Sequence, residues 1–277
     1  MPESTTASLI LPENYKFLAD YIYRESGIVL DDGKHYLIEA RLMPVVRQSH
    51  LASLDALCAA LRNNGDPPLH RKVVEAMTTH ETLFFRDVAP FEALRSEVLP
   101  ALIEQRKKTR KLTFWSAACS SGQEAYSLAM LLLEMGLEGW NIQILGTDLS
   151  EQILARAREG RYLQIEVNRG LPVNHLLKYF DRAGLDWQIK DRLRRMVKFE
   201  SFDLRHGMRT KGPFDVIFCR NVLIYFNVET KKKILPELRG ALYSGGYLVL
   251  GGAESTLNLD NEFRRVPVGR AIFYQAP

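Results

Sequence analysis

Cysteine is scarce in this chain. The three residues, Cys58, Cys119 and Cys219, lie far apart with no CxxC pair. Such a set frames neither a disulfide scaffold nor a zinc knuckle, so no metal is expected and a reduced, cytoplasmic setting is. No segment approaches the roughly 18 uninterrupted apolar residues of a spanning helix, so no membrane insertion is expected. The opening residues, Met1 to Thr6, carry neither a basic stretch nor an apolar run of signal-peptide type. An excess of one charge is missing too. Lys and Arg number 37 against 33 Asp and Glu, a formal net charge of +4, which by itself does not argue for nucleic acid. GxGxxG is absent, and with it the dinucleotide fingerprint. Internal repeats and low-complexity segments are absent as well.

What remains is an ordinary globular composition, 46% hydrophobic and 25% charged over 277 residues. That length favours two domains. Residues 1–80 read as helical. Tyr15, Leu18, Ala19 and Ile22 share one helix face between Leu11 and Glu25. Gly27 stops that helix and Asp31-Asp32-Gly33 reads as a turn. A second helix spans Tyr36 to Arg47, with Pro44 expected to kink or shorten it. Ser53 caps a third, ended by Asn63-Asn64-Gly65, and a fourth runs from Leu69 to Met77.

From about residue 110 strand and helix patterns alternate. Strands are expected at Leu112–Ser116, Ile142–Leu145, Val197–Phe199, Phe214–Phe218 and Tyr247–Leu250. Helices are expected at Glu124–Met135, Ser150–Arg158 and Val228–Leu242, and Phe263–Pro267 with Ala271–Tyr274 as a closing strand pair. This α/β alternation implies a mainly parallel sheet covered on both faces. Ligands then bind beyond the carboxyl ends of the strands.

Three segments follow those ends. Ala117-Ala-Cys-Ser-Ser-Gly122-Gln-Glu124 is rich in small residues that admit close backbone approach, although an ordinary strand-to-helix turn reads the same way. Gly146-Thr-Asp148-Leu-Ser150 places an acid where ribose hydroxyls are often held, or where a helix is capped. Cys219-Arg-Asn221-Val-Leu-Ile-Tyr225-Phe226 sets polar Asn221 and Tyr225 in an apolar run, as a site or a buried hydrogen-bonded pair. Ahead of the sheet, Thr78-Thr-His80-Glu-Thr82-Leu-Phe-Phe-Arg86-Asp87 gathers polar groups around an aromatic pair.

Together these segments, with Gly245–Ser255, closely resemble the CheR family of chemotaxis receptor protein-glutamate O-methyltransferases. The resemblance covers essentially the whole chain. It implies a Rossmann-like S-adenosylmethionine-dependent methyltransferase sheet, preceded by an all-helical N-terminal domain (1–90) and a linker (91–108). The methyltransferase domain (109–277) would carry an inserted small antiparallel β-subdomain at about 179–199. It further implies S-adenosyl-L-methionine as donor, S-adenosyl-L-homocysteine as product, and glutamates on the cytoplasmic methylation helices of chemoreceptors as acceptors, with glutamate methyl esters serving sensory adaptation. The enzyme would work in the cytoplasm, recruited to membrane-embedded receptor arrays, with an adaptor protein as a further partner.

Residue by residue, the resemblance places His80 and Thr82 near the methionyl end, His80 standing where the family usually has Asn. It puts Arg86 near the sulfonium and acceptor side, Glu124 at the methionine amino group and Asp148 on the ribose. Asp203 and Leu204 would flank adenine, Asn221 and Val222 would form the cofactor floor, and Tyr225 would face the reacting centre. Arg86 and Tyr225 are the expected catalytic pair. Arg41, Arg47, Arg62, Arg71 and Lys72 are the expected receptor-docking residues. Residues 1–80 as a whole hold eight basic and ten acidic side chains, so any basic face there is local. The β-subdomain stretch Tyr179 to Lys190 is shorter than in relatives that hold a receptor tether, which favours tether-independent action. Among rival readings, a nucleic-acid methyltransferase lacks its Pro-Pro-aromatic motif after the fourth strand and a basic stripe with interleaved aromatics. A nicotinamide oxidoreductase lacks its glycines. A domain that binds cofactor only for signalling would not need Arg86, Glu124, Asp148 and Tyr225 intact.

Overall fold

Helix signals in the first eighty residues become four helices: α1 (Pro12–Ser26), α2 (His35–Gln48), α3 (Leu54–Arg62) and α4 (Pro67–Met77). The structure is a computed structural model that describes residues 10–31, 33–63, 66–208 and 211–277. Asp32 of the expected first turn, Asn64 and Gly65 of the expected helix stop, and Met1 to Thr6 lie outside the described residues. Leu18, Ile22, Ile38, Leu42, Leu57 and Val73 close a core in which each is fully buried. The Ser53 hydroxyl accepts from Ala56 N–H at 3.1 Å, the expected N-cap, and the Asp66 carboxylate accepts from Leu69 N–H at 3.1 Å, a cap that starts α4 two residues before the expected Leu69. Gly27 takes the left-handed conformation (φ 77°) that ends α1. Pro44 does not shorten its helix. Burial of Ile38, Leu42, Val45 and Val46 along α2 outweighs the propensity cost.

The chain divides into two units: one of Met1–Thr79 with Tyr225–Asn227, the other of His80–Ile224 with Val228–Pro277. The helical unit therefore ends about ten residues earlier than the expected 90, and residues 91–108 are no linker. They form α5 (Ala89–Ala93), a π-helical turn (Leu94–Val98) and α6 (Leu99–Arg106) of the second unit. Pro90 stands in the first turn of α5, where proline costs no hydrogen bond, and Pro100 follows the π-helical turn directly, the residues before it already helical. Phe91, Leu94, Val98, Leu99 and Leu102 are buried there.

The second unit continues as β1 (Lys111–Ala117), α7 (Gln123–Glu134), β2 (Asn141–Asp148), α8 (Glu151–Glu159), β3 (Arg161–Leu163), α9 (Gln164–Val167), α10 (Val173–Tyr179), β4 (Phe180–Ala183), β5 (Asp186–Ile189), α11 (Asp191–Arg194), β6 (Val197–Ser201) and β7 (Phe214–Cys219). A 3₁₀ turn (Leu223–Tyr225), α12 (Val228–Gly240), β8 (Leu242–Leu250), β9 (Arg264–Val268) and β10 (Ala271–Gln275) complete it. The main sheet runs β6-β2-β1-β7-β8-β10-β9. Its first five strands are parallel, and β10 runs antiparallel to both its neighbours, β8 and β9. The order reverses between β1 and β7, so the ends of β1, β2 and β7 border the switch point where α/β sheets bind ligands. Helix α7 is buried along nearly its whole length, as a helix enclosed by its domain should be.

The inserted antiparallel sheet exists, in the order β3-β5-β4. It starts at Arg161 rather than near 179 and ends at Ile189, and Val197–Ser201 belongs to the main sheet. Tyr162, fully buried, fastens it. Its hydroxyl donates to Ser121 C=O at 2.7 Å, and Phe84 packs edge-on against both Tyr162 and Phe180.

Candidate functional site

The loop after β1 follows from its small residues. Ala118 (φ 58°), Ser120 (φ 51°) and Gly122 (φ 90°) alternate through the left-handed region, a conformation that costs about 1–3 kcal/mol per non-glycine residue and gathers at functional sites. A Cβ on Gly122 would stand 3.0 Å from both Ala157 Cβ and Phe199 Cζ, so this bend requires glycine. Cys119 N–H donates to Thr147 C=O at 2.8 Å, and Trp115 Nε1 donates to Thr147 Oγ1 at 2.9 Å. Both bonds fix the ends of β1 and β2 against each other.

Asp148 ends β2. Its Oδ2 accepts from Ser120 N–H at 2.9 Å and its Oδ1 from Ser150 N–H at 3.1 Å. Desolvation holds its carboxyl above the ordinary value, against those hydrogen bonds and the neighbouring charge of His80. The Ser120 hydroxyl donates to His80 C=O at 2.8 Å, so the residue expected at the methionyl end reaches this loop through its backbone. Thr82 is half-buried on the same pre-sheet segment.

Glu124 lies in the first turn of α7 with its side chain 11% exposed. Oε1 accepts from Ser116 Oγ at 2.7 Å and Oε2 from Arg220 Nη1 at 3.0 Å. Arg220, with only 2% of its side chain exposed, also donates from Nη2 to Asp87 Oδ2 at 2.6 Å and to Arg86 C=O at 2.9 Å. It thereby holds Phe85–Val88, where Phe85 (φ 50°), Asp87 (φ 64°) and Val88 (φ 33°) are all left-handed. Arg86 itself donates to Glu81 C=O at 3.0 Å. Sequence reasoning missed Arg220. The available signal was a charged residue inside the apolar run Val216 to Ile224, next to the Asn221 that did draw notice.

Asn221 (φ 58°) and Val222 follow Arg220, their N–H groups donating to Glu254 at 2.8 and 3.0 Å. Glu254 is the second residue missed. It is an acid four residues past the end of β8, and only the fold shows what it faces. Cys119 and Cys219 are fully enclosed, and burial pushes both thiols well above their ordinary value, so neither is a thiolate nucleophile at neutral pH.

Of the other expected residues, Asp203 receives Arg205 through its N–H, Nε and Nη2 at 2.6–3.1 Å, beside buried Leu204. Phe202 N–H donates to Asp148 C=O at 2.9 Å, which ties the strand end preceding Asp203 to Asp148. Tyr225 is half-buried at the end of the 3₁₀ turn. Its C=O accepts from Val29 N–H at 3.1 Å, within the unit that includes the helices. Within that unit Arg41 donates to Met77 C=O at 2.6 Å, Thr78 C=O at 3.2 Å and Thr79 Oγ1 at 2.9 Å, the way a cation satisfies a helix C-terminus. Arg62 is spent on Asn14 at 2.7 Å and on the face of Phe17. Arg47, Arg71 and Lys72 stand exposed.

A family model described as "CheR methyltransferase, all-alpha domain" matches residues 13–78, and one described as "CheR methyltransferase, SAM binding domain" matches residues 80–272. "Chemotaxis protein methyltransferase 1" of Pseudomonas aeruginosa is 40% identical over 269 residues, covering 95% of this chain and 97% of that protein. "Chemotaxis protein methyltransferase Cher2" of Pseudomonas putida is 40% identical over 262 residues, 92% and 95% of the two chains. "Chemotaxis protein methyltransferase" of Vibrio parahaemolyticus is 39% identical over 276 residues, 98% and 99%.

The residues present fit S-adenosylmethionine. Each carboxylate oxygen of Asp148 accepts one backbone N–H in the bonds above and keeps acceptor capacity for a ribose hydroxyl. The Glu124 oxygens likewise retain capacity for an ammonium, although their charge is shared with Arg220. The bend at Gly122 is packed against Ala157 and Phe199, so its glycine answers to the fold.

Proposed function

The chain belongs to the CheR methyltransferase family, and from that premise we propose that it esterifies glutamate side chains on the cytoplasmic helices of chemoreceptors. It is a methyltransferase of chemotaxis, dependent on S-adenosylmethionine. The observation that carries the finer reading is the pairing of the all-alpha and SAM-binding family domains in one chain, at 13–78 and 80–272.

S-adenosylmethionine supplies a methyl carbon activated by its sulfonium. In our reading Asp148 holds the ribose, Glu124 the amino group, and His80 and Thr82 the methionyl end. Asp203 and Leu204 bracket adenine, while Asn221 and Val222 form the floor. Arg86 and Tyr225 orient the incoming carboxylate. A glutamate with an ordinary pKa of ~4.3 is already an anion at neutral pH, so no side chain has to remove a proton. The demand on the protein is alignment of oxygen, carbon and sulfur at about 3–3.5 Å, and exclusion of water while charge cancels. Arg47, Arg62, Arg71 and Lys72 are the exposed members of the proposed receptor-docking set, Arg62 also donating to Asn14. Arg41, half-buried and committed to partners within the helical unit, is left with a mainly structural part. The enzyme acts in the cytoplasm at receptor arrays, without a receptor tether. An adaptor is a further proposed partner, and nucleic acid is not. No helix among the described residues is long and apolar enough to cross a membrane.

The test is transfer of label from methyl-labelled donor to receptor-containing membranes, read as methanol released by base. Receptors trimmed of their C-terminal segment should be labelled as fast as intact ones. Label that resists base, or that enters RNA instead, refutes the glutamate reading.

A further inference from the structure

Glu254 has no part in the assignments above, yet its carboxylate gathers four backbone donors. Oε2 accepts from Gly251 N–H at 2.7 Å and from Asn221 N–H at 2.8 Å. Oε1 accepts from Val222 N–H at 3.0 Å and from Ile224 N–H at 3.2 Å. Three of these donors lie in the loop after β7 and the fourth at the end of β8. Backbone N–H groups converging this way form an anion-binding nest, and bonds to a carboxylate are about twice as strong as neutral ones. The two strand ends come too close for any residue but glycine at 251. A Cβ there would stand 2.7 Å from Glu254 Oε2 and 2.9 Å from Asn221 N. Asn221, for its part, is held at φ 58°, a conformation non-glycine residues keep only when their surroundings impose it.

We propose that Glu254 is a positioning residue for the donor site. By filling the nest of Asn221, Val222, Ile224 and Gly251, it sets the backbone on which Asn221 and Val222 meet the cofactor. The proposal rests on the assignment of those two residues to the cofactor floor. It also explains an acid that touches nothing else in the expected reaction. The carboxylate is not there for its reactivity but because two accepting oxygens can serve four amides at once.

The experiment uses the full chain and its E254Q variant, titrated calorimetrically with S-adenosylhomocysteine, with thermal melts alongside. The side-chain amide introduced by E254Q would turn a donor toward donors and leave some of the four backbone amides unpaired. The expected result is a Kd for S-adenosylhomocysteine raised at least about tenfold, or ~1.4 kcal/mol, in protein that still melts cooperatively, with E254D falling in between. A purely structural role would lower the melting temperature and leave the Kd of the folded protein unchanged. A Kd within twofold of wild type therefore overturns the proposal. If both variants fail to fold, hydrogen exchange of the unmodified protein decides. The amides of Asn221, Val222, Ile224 and Gly251 should exchange as slowly as those of β7, and exchange at open-loop rates overturns it. Wild-type protein that does not bind S-adenosylhomocysteine refutes the donor-site assignment itself, an outcome distinct from failure of the Glu254 role.

Discussion

Replacing Arg220 by methionine keeps most of the side-chain volume and removes the charge. Glu124 is then left almost buried, with the Ser116 hydroxyl as its remaining hydrogen-bond partner in this network. Breaking a buried pair in this one-sided way costs about 3–5 kcal/mol. The Asp87 end of the network is 55% exposed and adds at most about 1 kcal/mol. The lower end of the range, about 3 kcal/mol, is the expectation, because methionine refills the space. For a domain of this size 1 kcal/mol moves the melting temperature roughly 2–4 °C, so a fall of roughly 6–12 °C should appear in calorimetry without cofactor. The sharper test is a reversal. Adding Glu124→Gln to Arg220→Met removes the stranded charge, so the double variant should melt above Arg220→Met alone, a coupling that distant sites do not show. A double variant that melts lower than Arg220→Met, with the two losses simply adding, would refute the argument that Arg220 is there to neutralise Glu124.

Asp148 gives a pH prediction. Burial raises its carboxyl above the ordinary 3.8, so between the unfolded and folded values the native chain holds the extra proton. Its contribution to stability is thus largest at low pH and is lost as pH rises through the folded value. Cofactor affinity runs the other way. In the proposed role of Asp148 at the ribose the ionised form is the acceptor, so affinity for S-adenosylhomocysteine should weaken as pH falls through that raised value, with proton release on binding seen as buffer-dependent calorimetric heats. Affinity that is flat down to the ordinary carboxylate range would sink this. Gly146→Ala would place a Cβ 2.6 Å from the Phe199 ring. A loss of about 1–3 kcal/mol in denaturant unfolding is expected, and an unchanged midpoint would show that the ring yields freely. Arg71→Glu with Lys72→Glu should weaken receptor binding in a salt-dependent way and spare stability. Arg41→Ala, by contrast, should lower the stability of the helical unit by about 1 kcal/mol. A receptor-binding defect with normal melting in Arg41→Ala would return that residue to the docking face.

The regular elements were legible because their periods are long enough to register. Apolar spacing marked α1 and α3 to within about a residue, and the strand-helix alternation after residue 110 foretold the parallel sheet. Three-residue β3 is too short for a period to show, so the small sheet emerged late and with a misplaced start. Residues 91–108, expected as a linker, are instead helical as far as Arg106 and bury Phe91, Leu94, Val98, Leu99 and Leu102, an apolar face that makes the stretch part of the second unit. At the site, chain neighbourhood singled out Glu124, Asp148 and Asn221, in the first turn of the helix after β1, at the end of β2 and just past β7. Arg220 and Glu254 act on groups 96 and 33 residues away, and local pattern carries no trace of such pairings.

The Tyr162 hydroxyl, bonded to Ser121 C=O, makes the small sheet a brace rather than an ornament. An engineer who excised residues 161–189 to obtain a minimal enzyme would strip the support from the very bend that turns β1 into α7. Phe84 would also lose both aromatic rings it leans on. Swapping that insert between homologues is therefore a change to the catalytic half as well, unless the tyrosine and its reach to the bend travel with it.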